Sequence, residues 1–421
     1  MRARRRERWV LIAASLSVIG LVVGCGSSSK TSSPGTSGGP STGTKSEIAV
    51  GVIGSYSGPF ADSQQPAKLA VQAWAAEVNA SGGINGHPVK LYIEDDKGVT
   101  ASAVTMVKKL VEQDQVVAIV GQISSASTAW ASYVASKGVP VIGGSSQSDL
   151  AYMTNADFYA VGGNLLSLFY GVSAQAKTHG TKWGALYCAE IAPCAAVTNI
   201  AKAYTPSTGV SVAFAGSVAA TASDYTAQCQ ALKNAGVESY TIALGLSAVP
   251  RVAGQCAQQG LKAVHIFPGT EDSNTASQPT SEGMEFADSN YPFFDESIPA
   301  AKAMHDAFRK YSPSLGSSAA PSNPFAVGAY LGGKLFEAAV KAAGTDSITS
   351  ASVKQGIYAL KGETLGGMSP PLTFKEGQPN LFNCYYAGKV TGGKFVTLND
   401  GKPQCAPDSV IAPVAASLTK G

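Results

Sequence analysis

The chain has 421 residues, 45% of them hydrophobic and 14% charged, with 31 lysines and arginines against 28 aspartates and glutamates. So even a balance offers no basic field to gather phosphate backbones, which argues against nucleic acid as a partner. The seven cysteines and the scattered His87, His179, His265 and His305 include no CxxC spacing, so a metal centre is not expected.

Five arginines occur in the first eight residues, followed by mostly apolar residues from Val10 to Gly24 and then Cys25. The apolar stretch is shorter than the about 20 residues that a membrane-spanning helix needs. A basic start, a short apolar run and small residues before a cysteine read as a secretory signal peptide over 1–24. Its end, Val22-Val23-Gly24-Cys25, resembles a bacterial lipobox, so Cys25 is expected to be lipidated and to become the first residue of the mature protein. Removing 1–24 takes away five arginines and one glutamate, leaving 26 basic and 27 acidic residues. Residues 26–46 hold only Ser, Gly, Thr and Pro apart from Lys30 and Lys45. With Cys25 they form the expected lipidated tether, 25–46, which has too little apolar surface to fold.

From Glu47 the pattern alternates. Strands are predicted over 48–54, 89–94, 116–121 and 139–143, with helices over 62–80, 100–113 and 125–137 between them. Leu69, Val71, Trp74 and Val78 carry the helical spacing in the first helix. The rhythm restarts after Gly162, with strands over 183–187, 210–216, 240–245 and 263–268 among helices near 164–178, 194–204, 224–235 and 248–259. Continuous apolar strands alternating with helices indicate doubly wound parallel sheets covered on both faces. Residues 25–421 are too many for one ordinary core, so two such α/β units are expected. Helices near 299–311 and 325–343 and a β-rich tail complete the chain. The tail is assigned to the second unit, with crossings near 160–163, 286–292 and 369–373. No later segment is long and apolar enough to span a bilayer.

With Cys25 assigned to lipid, six cysteines remain. Cys188 and Cys194 are close in sequence, Cys229 and Cys256 lie on consecutive predicted helices, and Cys384 and Cys405 flank a predicted hairpin. Pairing each with its neighbour is the expectation among about 15 connectivities.

Ligands of open α/β sheets bind beyond the carboxyl ends of the strands, so the loops there are the candidate site. Gln122-Ile123-Ser124-Ser125 brings hydroxyls and backbone N–H groups to a helix start, an arrangement suited to a carboxylate or another acceptor-rich group. Ser145-Ser146-Gln147 repeats it one strand later. The same serines also suit simple capping of their own helices. Tyr56 and Ser57 in the first loop are added as ligand contacts, beside a turn-forming reading of Ser57-Gly58-Pro59.

The run Gly51-Val52-Ile53-Gly54-Ser55-Tyr56-Ser57-Gly58-Pro59, then Asn79-Ala80-Ser81-Gly82-Gly83-Ile84-Asn85-Gly86, Glu94-Asp95-Asp96 and Gly138-Val139-Pro140-Val141-Ile142, resembles the branched-chain amino-acid-binding proteins of ABC transporters. The resemblance implies the type I periplasmic-binding fold: two doubly wound parallel-sheet lobes joined by three crossovers. On this reading lobe 1 is 47–161 plus 292–371 and lobe 2 is 162–291 plus 372–421. It further implies that Ser125 grips the ligand carboxylate, with Gln147 in place of a usual threonine. Glu271 takes the ammonium, Phe325 lines the apolar pocket, and Leu246 replaces a usual tyrosine. A second usual tyrosine falls near Ala192.

The expected function is capture of a small polar metabolite, a branched-chain amino acid first, and its delivery to an ABC permease and ATPase. The protein would work as a monomer held to the outer face of the cytoplasmic membrane by lipid alone. No cofactor and no enzymatic activity are expected. Ser27-Ser28-Ser29-Lys30 matches S-x-x-K but lies in the tether. Gly328 to Lys334 nearly spells a phosphate loop, with Leu335 in the Ser/Thr position. The alternative is a sensor of the same fold that binds amides, urea or small carboxylates and reports occupancy to a partner.

Overall fold

A computed structural model describes residues 45–418, apart from 59–60, 147, 191, 246, 270–275 and 317–322. The expected signal peptide, Cys25 and nearly all of the expected tether lie outside the described residues, and so do Gln147, Leu246 and Glu271.

The first layer follows the expected rhythm. Strand β1 (Ile48–Gly54) is buried at every position but one. It is followed by α1 (Ala61–Ala80), β2 (Val89–Asp95), α2 (Thr100–Glu112), β3 (Ala118–Gln122), α3 (Ala131–Ser136), β4 (Val141–Gly144), α4 (Ala151–Thr154) and β5 (Phe158–Tyr159). The strands form one parallel sheet in the order β2-β1-β3-β4-β5. Val50, Val52, Val120 and Ile142 face a cluster containing Trp74 and Phe336, whereas Ile53, Ile119, Val141 and Phe158 face one containing Val107, Trp130 and Val134. Both pleat faces are covered, which is why these strands read as unbroken apolar runs. The helix expected over 125–137 is shorter. A 3-10 turn, Ser127–Ala129, precedes α3, and Ser124 Oγ accepts the Ala126 N–H, so the hydroxyl-rich stretch stays a loop.

The second layer comprises α5 (Leu165–His179), β6 (Lys182–Cys188), α6 (Ala196–Thr208), β7 (Ser211–Val218), α7 (Thr226–Asn234), β8 (Ser239–Ala243), α8 (Val249–Gln258), β9 (Val264–Pro268) and β10 (Glu285–Asp288). Its strands run in the order β7-β6-β8-β9-β10, all parallel. The chain then returns to the first layer as α9 (Pro299–Tyr311), α10 (Pro313–Gly316), α11 (Pro324–Ala343), α12 (Ser350–Ala359) and the short pair β11 (Lys361–Glu363) and β12 (Leu372–Thr373). Finally β13 (Cys384–Thr391) adds antiparallel to β10, with β14 (Lys394–Thr397) and β15 (Gln404–Cys405) beside it, and α13 (Asp408–Leu418) ends the described chain.

Three expectations are corrected here. Helix α12 was not anticipated; a capping box between Thr349 and Ser352 starts it. The tail is not only β-rich, because α13 buries Ile411 and Val414 in the second core. The third crossing falls later than 369–373, since Leu372 and Phe374 are still in the first core and Phe382 packs against it.

The near phosphate loop is the middle of a buried helix. Helix α11 lies so close to β4 that a Cβ on Gly143 would sit 2.2 Å from the Gly332 Cα, and one on Gly332 would sit 2.7 Å from the Ile142 carbonyl oxygen. Glycine at both positions is what lets helix and sheet meet. Among the described residues no helix is long and apolar enough to cross a membrane.

All three expected cysteine pairs bring their sulfurs to disulfide distance. Cys229–Cys256 joins α7 to α8, Cys384–Cys405 joins β13 to β15, and Cys188–Cys194 closes the loop between β6 and α6. The three passages between the layers are bonded to one another. Gly163 N–H donates to Ser289 O at 2.9 Å and Asn164 Nδ2 donates to Phe382 O at 3.0 Å, while Ser369 Oγ, still in the first layer, donates to Val161 O at 2.6 Å.

Candidate functional site

The carboxyl ends of β3 and β4 face those of β6, β8, β9 and β10 across a cavity of about 290 Å³. Its two walls differ in chemistry. The first layer contributes Ser63, Gln64, Ser124, Ser125, Ser127, Thr128, Ser145 and Asp149 beside the apolar Ile123, Pro324 and Phe325, and the second contributes Leu165, Leu168, Phe169, Val197, Leu244 and Phe267 with one carboxylate, Asp288. Ser63 and Gln64 lie in the first turn of α1, Leu165 begins α5 and Phe325 is the second residue of α11, so three helix N-termini, each with a partial positive charge, adjoin the cavity.

One buried side chain organises the hydroxyl wall. Gln122 is fully buried at the end of β3. Its Nε2 donates to Ser145 Oγ at 3.0 Å and to Asp149 Oδ2 at 2.7 Å, and its Oε1 accepts the Ser124 N–H at 2.9 Å. Asp149 Oδ1 accepts the Ala151 N–H at 2.9 Å, just before α4. Burial raises the Asp149 carboxyl above its ordinary range, and bonds from Ser127, Ala151, Gln122 and Ser145 pull it only partly back.

A second relay supports Ser125. Ser55, buried at the end of β1, donates to Asp96 Oδ1 at 2.6 Å and accepts the Ser125 N–H at 3.2 Å. With its amide turned to satisfy both ends, Gln64 donates to the Ile123 carbonyl at 2.8 Å and accepts from Ser125 Oγ at 3.2 Å. Phe325 N–H, by contrast, is taken up by the Asn323 cap of α11 at 3.0 Å, so Phe325 offers the cavity its ring rather than a donor.

Of the predicted residues, Ile123, Ser124, Ser125, Ser145 and Phe325 line the cavity. Gln122 does not, because it stands behind Ser145 and Asp149. Tyr56, Ser57 and Ser146 are also outside the lining. Tyr56 is buried, with its hydroxyl raised by desolvation and by the nearby Asp96 and Asp95. Ser57 Oγ donates to Asp95 at 2.7 Å, which fixes the turn after β1 and supports the turn-forming reading. Ser124 Oγ accepts the Ala126 N–H within the loop and does not cap the 3-10 turn or α3. Sequence reasoning missed Ser63, Gln64, Ser127, Asp149 and Asp288 among the polar lining. Asp149 before the apolar Leu150-Ala151-Tyr152 did carry a helix-cap signature. The apolar wall residues Leu165, Leu168 and Phe169 have ordinary helical spacing, which reads as core.

Among the described lining residues the charged ones are Asp149 and Asp288, and there is no lysine, arginine or histidine. The paired Cys188 and Cys194 complete the second wall. Hydroxyls concentrated on one side and a mainly apolar surface on the other suit a small amphiphilic molecule.

Comparison with known proteins gives the same outline. The family model described as periplasmic binding protein matches residues 47–394. A Pseudomonas aeruginosa protein named "Amino acid binding protein" is 40% identical over 97 residues, which is 23% of this chain and 26% of that protein, so the match spans about a quarter of that relative's length. A branched chain amino acid ABC transporter structure from Thermus thermophilus with bound valine superposes with a TM-score of 0.75 at 16% identity, covering 90% of this chain and 100% of that one. A fatty acid ABC transporter substrate-binding protein from Thermomonospora curvata superposes with a TM-score of 0.69 at 18% identity, covering 88% and 94%. At these identities the structural likeness is one of fold.

Proposed function

Because the chain belongs to the periplasmic binding protein family, we propose that it captures a small amino acid with an apolar side chain between its two layers and passes it to an ABC permease and its ATPase. The observation that carries this reading is the two-faced cavity. The Ser125 and Ser145 hydroxyls suit a carboxylate, and Leu165, Leu168, Phe169 and Phe267 suit a branched aliphatic group. Ser125 and Phe325 keep the roles the family resemblance gives them. Gln147, Leu246 and Glu271, outside the described residues, remain candidate contacts. The layers act as lobes that close about the three bonded crossings when ligand bridges them. The protein is exported, held to the membrane through a lipid on Cys25, and works as a monomer.

The valine-bearing Thermus thermophilus protein and the Pseudomonas aeruginosa relative support an amino acid as cargo. The apolar second wall also suits a longer apolar acid, the class for which the Thermomonospora curvata protein is named. Thermal shift and calorimetry on the mature chain separate the two. A binder present at 100 times its Kd adds about 2.7 kcal/mol of stability. A shift with leucine, isoleucine or valine and none with octanoate supports the amino-acid reading. The reverse result rejects it in favour of the apolar acid.

A further inference from the structure

We propose that a proton on Asp149 controls the carboxylate end of the cavity: with it, the Ser145 hydroxyl is free to donate to a ligand carboxylate, and without it, Asp149 draws that hydroxyl back and repels the ligand. The inference rests on the reading of the cavity as a solute site and goes beyond it by coupling capture of a carboxylate to uptake of one proton. The bonds around Gln122 have a fixed direction. Its Oε1 accepts the Ser124 N–H at 2.9 Å, so its Nε2 faces Ser145 Oγ at 3.0 Å and Asp149 Oδ2 at 2.7 Å. Ser145 Oγ is thereby an acceptor toward Gln122, and its own proton has two places to go. One is Asp149 Oδ2, 3.5 Å away, and the other is the cavity that Ser145 lines. The charge on Asp149 decides between them. A carboxylate attracts the hydroxyl proton, whereas a carboxylic acid brings a proton of its own and leaves the hydroxyl to turn outward.

The cavity offers an ionised Asp149 no counterion, since its described lining holds no lysine, arginine or histidine. The titratable groups around Asp149 are Tyr152 of α4, whose hydroxyl donates to the Gly143 carbonyl, and Asp288 at the end of β10, the other carboxylate of the lining. The end of β3 and the turn after it present Gln122 and Ser127, the first turn of α1 presents Ser63 and Gln64, and α5 and α11 present Leu165 and Phe325, all of them uncharged. Burial already favours the neutral form of Asp149. A ligand carboxylate set against Ser145 would share the wall with Asp149, and two carboxylates placed together without a cation bind a proton between them. A free ligand carboxyl ionises near pH about 4, below the buried aspartate, so the proton comes from solvent and rests on Asp149.

The test uses the mature chain with leucine and octanoate, so that either class of acid can report. Calorimetry in two buffers of different ionisation heat counts the protons taken up on binding. The wild type should take up close to one with whichever acid it captures, and its affinity should weaken by up to about tenfold per pH unit above the folded Asp149 value. Asp149→Asn should bind without proton uptake and with a flat pH profile. Its amide cannot satisfy both Ala151 and Gln122, so its melting temperature is checked, and Ser145→Ala gives a second reading with Asp149 intact. That variant should bind about tenfold more weakly than the wild type at the acid end, where Ser145 donates to the ligand, and nearly as well at the alkaline end, where it does not. A wild type that binds with no proton uptake and no pH dependence overturns the proposal and leaves the solute reading standing. Undiminished uptake in folded Asp149→Asn, or a Ser145→Ala loss that is the same at every pH, overturns it too. If neither acid binds at any pH, the proposal and the carboxylate reading of the cavity fall together.

Discussion

Gln122 Nε2 donates to Asp149 Oδ2 at 2.7 Å, and through this bond the end of β3 is joined to the loop after β4. Gln122→Ala removes the acceptor for Ser124 N–H and a donor to Asp149 and Ser145 together. Leaving buried polar groups unpartnered costs about 1–3 kcal/mol each. We expect a loss of about 2–4 kcal/mol in urea unfolding, with weaker ligand binding. A variant as stable as the wild type would show that water or a neighbour restores these bonds.

Asp149 makes the molecule less stable as the solution becomes alkaline. Its folded pKa is raised by burial, so the unfolded chain ionises first, near pH about 4. The stabilisation is complete below that pH and is lost as pH rises through the folded value. Unfolding free energies measured from pH 4 to 8 should therefore fall more in the wild type than in Asp149→Asn, whose side chain does not titrate. Parallel pH profiles for the two proteins would contradict this assignment.

Gly332→Ala should destabilise the first layer although alanine is the better helix former by about 1 kcal/mol. The new methyl would lie 2.7 Å from the Ile142 carbonyl oxygen and 2.9 Å from the Gly143 Cα, both backbone atoms that have no rotamer to escape into. Overpacking of this kind costs about 1–3 kcal/mol beyond the propensity gain. The guanidinium midpoint should drop; a raised midpoint would mean that α11 moves off β4 without penalty.

The cysteine pairs should separate stability from binding. Removing Cys229–Cys256 with serines opens a long loop inside the α7–α8 core and should cost about 3–4 kcal/mol in the chain-entropy model, against about 2 kcal/mol for the short Cys188–Cys194 loop. The shorter pair lines the cavity and the longer one does not. Ligand affinity should therefore respond to C188S/C194S and not to C229S/C256S. The opposite pattern in calorimetry would place the binding site elsewhere.

Much of the fold was legible because parallel strands covered on both faces leave an unbroken apolar trace. The run Ile48 to Gly54 and the restart after Gly162 are of this kind. Helix α13 was not legible: Asp408–Leu418 is rich in small apolar residues and contains Pro413, so it shows no helical stripe. At the site, the serines after β3 announced themselves by composition. Asp288 did not, since one acidic residue at a strand end has no local signature until β9 and β10 pair and bring both strand ends to the cavity. Gln122 was noticed but misplaced. A sequence shows that a polar residue ends a strand, not whether its side chain faces the cleft or the loop behind it.

The close seat of α11 on β4 also sets an order of events in synthesis. Val50, Val52, Val120 and Ile142 share their cluster with Leu331, Leu335 and Phe336, which leave the ribosome some two hundred residues later than β1 to β5. Until then that face of the first sheet is covered by α1 alone, whereas α5 to β10 are contiguous from Leu165 to Asp288 and can gather locally. The middle of the chain is thus equipped to fold before its beginning. A polypeptide whose leading end stays open longest is well suited to passing through a narrow channel end first, and to closing only on the far side.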